Sequence, residues 1–178
     1  MYLFESLMLH IYFTLIKRKI KYGQRIIIYD IDNTVANTFQ FIIDNGYIDF
    51  KKLSIFEPMK KKILSEMEND SNLVLFFSAR PLKSYLKTLT WLKGHGILKH
   101  ITSVYLFKSP MHKVKMIEKM CLNFSSKIIF FDDMSYNHEN GEIKYYKEAI
   151  KKIQELPIDY VDYSTILNFQ KSVWTKCL

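Results

Sequence analysis

The stretch Ile26-Ile27-Ile28-Tyr29-Asp30-Ile31-Asp32-Asn33-Thr34-Val35 decides how this chain is read. Ile26 to Tyr29 is a short apolar run rich in β-branched residues, which reads as a buried strand. The run ends in Asp30, Asp32 and Thr34. In open α/β sheets, ligands bind outside the carboxyl ends of the strands. Two carboxylates leaving a strand two residues apart cannot both enter an apolar core without a large desolvation cost. They mark a place where charge is kept for chemistry.

Working outward, apolar runs alternate with helical patterns. Ala36 to Ser54 has no clean period and reads as a flap or short helical excursion beside the active end. Glu57 to Glu68 reads as a helix with Pro58 in its first turn. Leu73 to Phe77 reads as a second strand. Pro81 to Lys93 reads as a helix closed by Gly94 and Gly96. Ser103–Phe107 and Lys127–Phe131 read as strands, with a helix over Met111–Cys121 between them. Gly141 to Leu156 reads as mostly helical, and Ile158 to Val161 as a fifth strand. Such alternation predicts an α/β, doubly wound, Rossmann-like parallel sheet of about five strands with helices on both faces, plus an N-terminal helix. The expected division is an apolar and basic helix over 1–24, one α/β domain over 25–170 and a tail over 171–178.

The 178 residues suit one domain, and a hydrophobic content of 48% supports a real core rather than disorder. The net charge of +8 favours anionic partners. Cys121 and Cys177 have no metal-ligand spacing and form no disulfide framework, so a reducing, cytoplasmic setting is expected. Leu7 to Ile16 is strongly apolar and is followed by Lys17-Arg18-Lys19. It is shorter than the ~20 residues of a spanning helix, and its positive charge follows the apolar stretch, unlike that of a secretory signal. A helix packed on the domain or on a second copy of the chain is the first expectation. Peripheral membrane contact through residues 1–21, and a mis-assigned start or disordered leader, are the alternatives.

Four features fall at strand ends: Asp30, Asp32 and Thr34; Ser78 in Phe76-Phe77-Ser78-Ala79-Arg80; Lys113 near a helix start; and Asp132-Asp133. With strand one central, these tips converge. Together they make a kit for phosphoryl transfer. Asp30, first off the strand, is placed to attack phosphorus and form an acyl phosphate. Asp32 is placed as the general acid and base. Clustered carboxylates need a cation, and Mg²⁺ suits all-oxygen ligands. Asp30, Asp32, Asp132 and Asp133 are the expected metal ligands, with a backbone carbonyl near Asp32 as the oxygen from that position. Thr34, Ser78, Arg80 and Lys113 are the phosphate- or substrate-binding candidates, Arg80 as a bidentate anion contact. Lys108 and Lys115 are the alternatives to Lys113. Asn137, His138 and Glu139 lie in a polar loop after Asp133 and are candidates for substrate contact.

Motifs of this kind, in this order over Ile26 to about Asn137, resemble the haloacid dehalogenase superfamily of phosphohydrolases. The resemblance implies that Asp30 is the nucleophile, Asp32 the acid/base, Ser78 and Lys113 phosphate ligands, and Asp132/Asp133 the Mg²⁺ site. The second Asp of the first motif is what the phosphatases of that superfamily carry, so a phosphorylated substrate is expected. Neither gap between the motifs holds a large cap domain, so the site is expected to be open. The Ser-Ala-Arg-Pro stretch is also similar to the phosphatase domains of polynucleotide kinase-phosphatases, which would make a nucleic-acid end the substrate. A nucleotide or sugar phosphate is the small-molecule alternative. A non-catalytic binding module on the same fold is the reading from a different class.

Overall fold

The computed structural model describes residues 2–100, 103–139, 142–144 and 146–171. Five parallel strands form one sheet: β1 (Arg25–Tyr29), β2 (Asn72–Ser78), β3 (Val104–Leu106), β4 (Ile128–Phe131) and, last in the chain, β7 (Asp159–Val161). Their spatial order is β3-β2-β1-β4-β7. β1 is therefore flanked on both edges, with Ile28 opposite Leu75 of β2 on one side and Phe130 of β4 on the other. A central parallel strand buried on both faces explains why its sequence is an unbroken apolar run rather than an alternation.

Seven α-helices accompany the sheet among the described residues: α1 (Tyr2–Lys17), α2 (Thr38–Asn45), α3 (Glu57–Glu68), α4 (Tyr85–Gly94), α5 (Pro110–Asn123), α6 (Lys147–Gln154) and α7 (Tyr163–Lys171). The two-residue periodicity of the strands divides the core in two. Ile26, Ile28, Leu75, Phe77 and Phe130 point to one face, against Phe13 and Ile16 of α1, Val114 and Ile117 of α5, and Ile150 and Ile153 of α6. Ile27, Tyr29, Val74 and Phe76 point to the other, against Met59 and Ile63 of α3, Trp91 and Leu92 of α4, and Ile166 of α7. The fold is thus the doubly wound arrangement that the sequence predicts. The N-terminal helix α1 shares the core of the sheet. No described helix is long and apolar enough to cross a membrane.

The Ala36–Ser54 excursion contains the short helix that the sequence reading allowed, α2, ended by Gly46 in the left-handed region at φ 75°. The structure departs from the sequence reading in three places. The second expected helix starts with a 3-10 turn over Leu82–Ser84 before α4 begins at Tyr85. The stretch read as mostly helical from Gly141 starts with a strand: β5 (Asn137–Glu139) and β6 (Glu142–Lys144) pair antiparallel, and α6 begins only at Lys147. The Asn140-Gly141 dipeptide between those strands is a hairpin signal that outranks helical propensity. Finally, α7 extends past the expected fifth strand. Its start is held by Asp162, whose carboxylate accepts the Thr165 amide at 3.0 Å and the Ser164 hydroxyl. Residues 172–178 of the expected tail lie outside the described residues.

Candidate active site at the sheet switch point

Chains leaving β1 and β4 diverge to opposite faces of the sheet, which opens a crevice between their carboxyl ends. The turn after β1 is built by its own backbone. Asn33 sits in the left-handed region at φ 55°, a conformation that asparagine tolerates better than most residues. Its amide donates to the Ala36 carbonyl at 2.9 Å, and its side-chain oxygen accepts the Phe39 amide at 2.7 Å. The turn holds Asp30 and Asp32 on a cleft of about 410 Å³, whose walls also include Ile48 and Phe50 from the excursion after α2, Pro110, and Tyr146.

At its floor, Asp30, Asp132 and Asp133 are buried, and one carboxylate oxygen from each lies within 4.8 Å of the others. Lys113 Nζ donates to Asp30 Oδ1 at 2.7 Å and to Asp132 Oδ2 at 2.5 Å. The contact decides among the three candidate lysines, because Lys108 and Lys115 are exposed. Lys113 lies in the first turn of α5, after Ser109 and Pro110. A cation there opposes the helix dipole, and burial opposes its charge as well. The two carboxylates reverse both penalties and hold the ammonium above its ordinary range.

One lysine does not balance three carboxylates. Burial pushes the Asp30 carboxyl up to about 7, with Asp132 and Asp32 adding repulsion and Lys113 only partly opposing them. Burial likewise raises Asp132, and it raises Asp133 well above the usual carboxylate range, where repulsion from Asp30 and Asp132 adds to the effect. A buried excess of oxygen donors and negative charge of this kind fits a hard divalent cation. The donor set consists of Asp30, Asp132 and Asp133.

The Asp32 side chain belongs to a different network. Arg80 grips it through two bonds, Nε to Oδ2 at 2.8 Å and Nη2 to Oδ1 at 2.6 Å. Thr38 Oγ1 donates to Oδ1 at 2.8 Å, and Ser78 Oγ lies 3.4 Å from Oδ2. Burial alone would raise the Asp32 carboxyl, but Arg80 and then Thr38 outweigh it, and the net direction is downward. Arg80 is fixed in turn: its Nη1 reaches Thr88 Oγ1 at 3.2 Å, and its guanidinium lies 4.8 Å from the Phe50 ring centroid.

Of the residues singled out from sequence, Asp30, Asp32, Lys113, Asp132 and Asp133 meet in this cleft. Arg80 lines it too, with its bidentate contact made to Asp32. Ser78 is fully buried and turned toward Asp32, and Thr34 is fully buried outside the cleft lining, its hydroxyl without a partner among the described residues. The side chains of Asn137, His138 and Glu139 lie outside the described ones. Sequence reasoning missed Thr38 and Phe50, neither of which sits at a strand end. The polar residue opening α2 was the available signal for Thr38.

Removal of the Arg80 clamp is expected to show in stability. Arg80→Gln should cost about 1–3 kcal/mol near pH 7, the scale for hydrogen bonds to charged groups, as read by urea unfolding. Because the folded-state carboxyl of Asp32 is depressed, the Arg80 contribution is present above the unfolded carboxylate pKa. It fades as pH falls through the lower folded value, so the two proteins should converge in acid.

Compared with models of known protein families and with curated proteins, the chain gives no match.

Proposed function

We propose that this chain is a Mg²⁺-dependent phosphomonoester hydrolase of the haloacid dehalogenase kind, working through an aspartyl phosphate on Asp30. The observation that carries the reading is the buried Asp30–Asp132–Asp133 cluster with Lys113 bridging two of its members. Structural ion pairs are usually balanced. This group has more negative charge than its single lysine can neutralise, and it faces an open cleft.

In the proposed reaction, an Asp30 oxygen attacks phosphorus while the ester P–O bond breaks, leaving an acyl phosphate. Water then attacks that phosphorus, Asp32 takes its proton, inorganic phosphate departs and the Asp30 carboxylate is restored. Lys113 holds the Asp30 carboxylate in place and adds positive charge where the phosphoryl oxygens gather. Asp30, Asp132 and Asp133 would hold the metal, which when bound neutralises the carboxylates and the incoming phosphate dianion. Arg80 keeps Asp32 ionised, and thus ready to accept a proton. An alkoxide leaving group needs a proton donated, so aryl phosphates, whose phenolates leave unaided, are the favoured test substrates.

The test is hydrolysis of a generic aryl phosphate with Mg²⁺ and with a chelator. Turnover that needs the metal supports the reading, and inactivity with every divalent cation overturns it. Thermal unfolding gives an independent check. The raised carboxyls mean that the folded, metal-free protein binds protons more tightly than the unfolded chain. Its stability should therefore fall as pH rises from the ordinary carboxylate range through about 7. Mg²⁺ at about 100 times its Kd adds about 2.7 kcal/mol, or roughly 5–10 °C in a chain of this size. At a fixed Mg²⁺ concentration the gain should be larger at pH 8 than at pH 6, because fewer protons then compete for the carboxylates.

A further inference from the structure

We infer that the site takes a phosphomonoester whose organic part is an apolar chain, seated in a second cavity beside the carboxylate cleft. The inference rests on the phosphohydrolase reading and narrows its substrate class. The second cavity measures about 350 Å³ and lies between α1, the loop after β2 and the end of β3. That volume falls in the range of small-molecule pockets. Its walls are mainly apolar, Met8, Leu9 and Tyr12 from α1 with Leu82, Leu106 and Phe107, and Arg80, Lys108 and His112 add polar groups.

Position connects it to the chemistry. Arg80 and Pro81 line both this cavity and the cleft. His112 borders the cavity, while its neighbour Lys113 holds Asp30. A phosphate on Asp30 therefore has an apolar hollow next to it, across a single segment of chain. The hollow also opens outward. Leu82 borders a smaller apolar depression with Leu15 and Tyr85, and it is itself 47% exposed. Apolar walls thus continue from the second cavity toward the surface.

A nucleic-acid end is favoured less. The groove on the opposite side of the cleft contains Tyr47, Phe50, Lys51, Lys87 and Trp91, a composition that suits base stacking beside a basic track. However, Trp91 is buried with its indole N–H given to the Leu53 carbonyl, and Phe50 is covered by Arg80. Of these three rings, only Tyr47 is exposed enough to receive a base.

The experiment compares 4-butylphenyl, 4-hexylphenyl and 4-octylphenyl phosphate, which share one phenolate leaving group. KM is expected to fall by about three- to fourfold per added methylene, the factor that ~0.8 kcal/mol per buried CH₂ gives, with kcat nearly constant. Leu82→Asp should flatten that dependence. Calorimetry of the same three esters with the Asp30→Asn protein reads the same preference without turnover. A KM independent of chain length, in a protein that still hydrolyses aryl phosphate, overturns the apolar-chain assignment alone. So does tighter binding of a 3′-phosphorylated oligonucleotide than of 4-octylphenyl phosphate to the Asp30→Asn protein. Failure to hydrolyse any phosphate ester, aryl phosphate included, overturns the phosphohydrolase reading and this inference with it.

Discussion

Asp30→Asn is expected to reduce aryl phosphate turnover by about 10⁴-fold or more, the scale on which removal of an attacking nucleophile is felt. The same variant should fold, and near pH 8 it should be at least as stable as the parent protein. Asp30 is almost fully buried, and its carboxyl is held up to about 7 by burial and by its acidic neighbours. Above that pH its charge is a burden to the metal-free fold. Asparagine keeps the shape and removes the charge, while Lys113 retains Asp132 as a partner at 2.5 Å. Steady-state kinetics and thermal unfolding on the same preparation separate the two effects. Full activity would exclude Asp30 as nucleophile. A large loss of stability would mean that the carboxylate is structural.

Lys113→Met should behave in the opposite way. The side chain fills similar space but leaves Asp30 and Asp132 with no buried cation. Breaking a buried ion pair from one side costs about 3–5 kcal/mol, which in a protein of ordinary stability is a large part of the total. Urea unfolding near pH 7.5 should show that loss. Mg²⁺ should recover part of it, because the cation then meets carboxylates that no lysine neutralises. If the substitution is neutral and Mg²⁺ has no effect, the carboxylates are protonated and idle in the folded protein, and the proposed metal site fails.

Much of this architecture was legible because single physical signals were unopposed. β1, β2 and β4 are apolar runs too short for helices and end in polar residues. α3 opens on Glu57-Pro58 and closes at Asn69, as its composition demands. Asp30, Lys113 and the Asp132–Asp133 pair were legible because a charged residue straight after a buried strand or in the first turn of a buried helix has few structural reasons to exist. Other features were hidden for equally physical reasons. The β5–β6 hairpin carried its Asn-Gly signal within a segment whose lysines and glutamates also suit a helix. The Arg80–Asp32 clamp joins residues in the loops after two different strands, and nothing local says that Arg80 faces Asp32. Thr34 shares the pattern of its neighbours, but the tight turn at Asn33 carries it into the interior.

The central position of β1 also shapes how the chain reaches this structure. β1 pairs with β2 on one edge and β4 on the other, yet β4 is synthesised only after β2, α4, β3 and α5. Until then the second edge of β1, Ile26 to Tyr29, presents unpaired amides and carbonyls between wholly apolar side chains. Such an edge invites pairing with other chains. Slow or interrupted synthesis between β2 and β4 should therefore favour aggregation. The docking of β4 closes that edge and, in the same step, brings Asp132 and Asp133 against Asp30, so the repulsion among the carboxylates is met only at the end of folding.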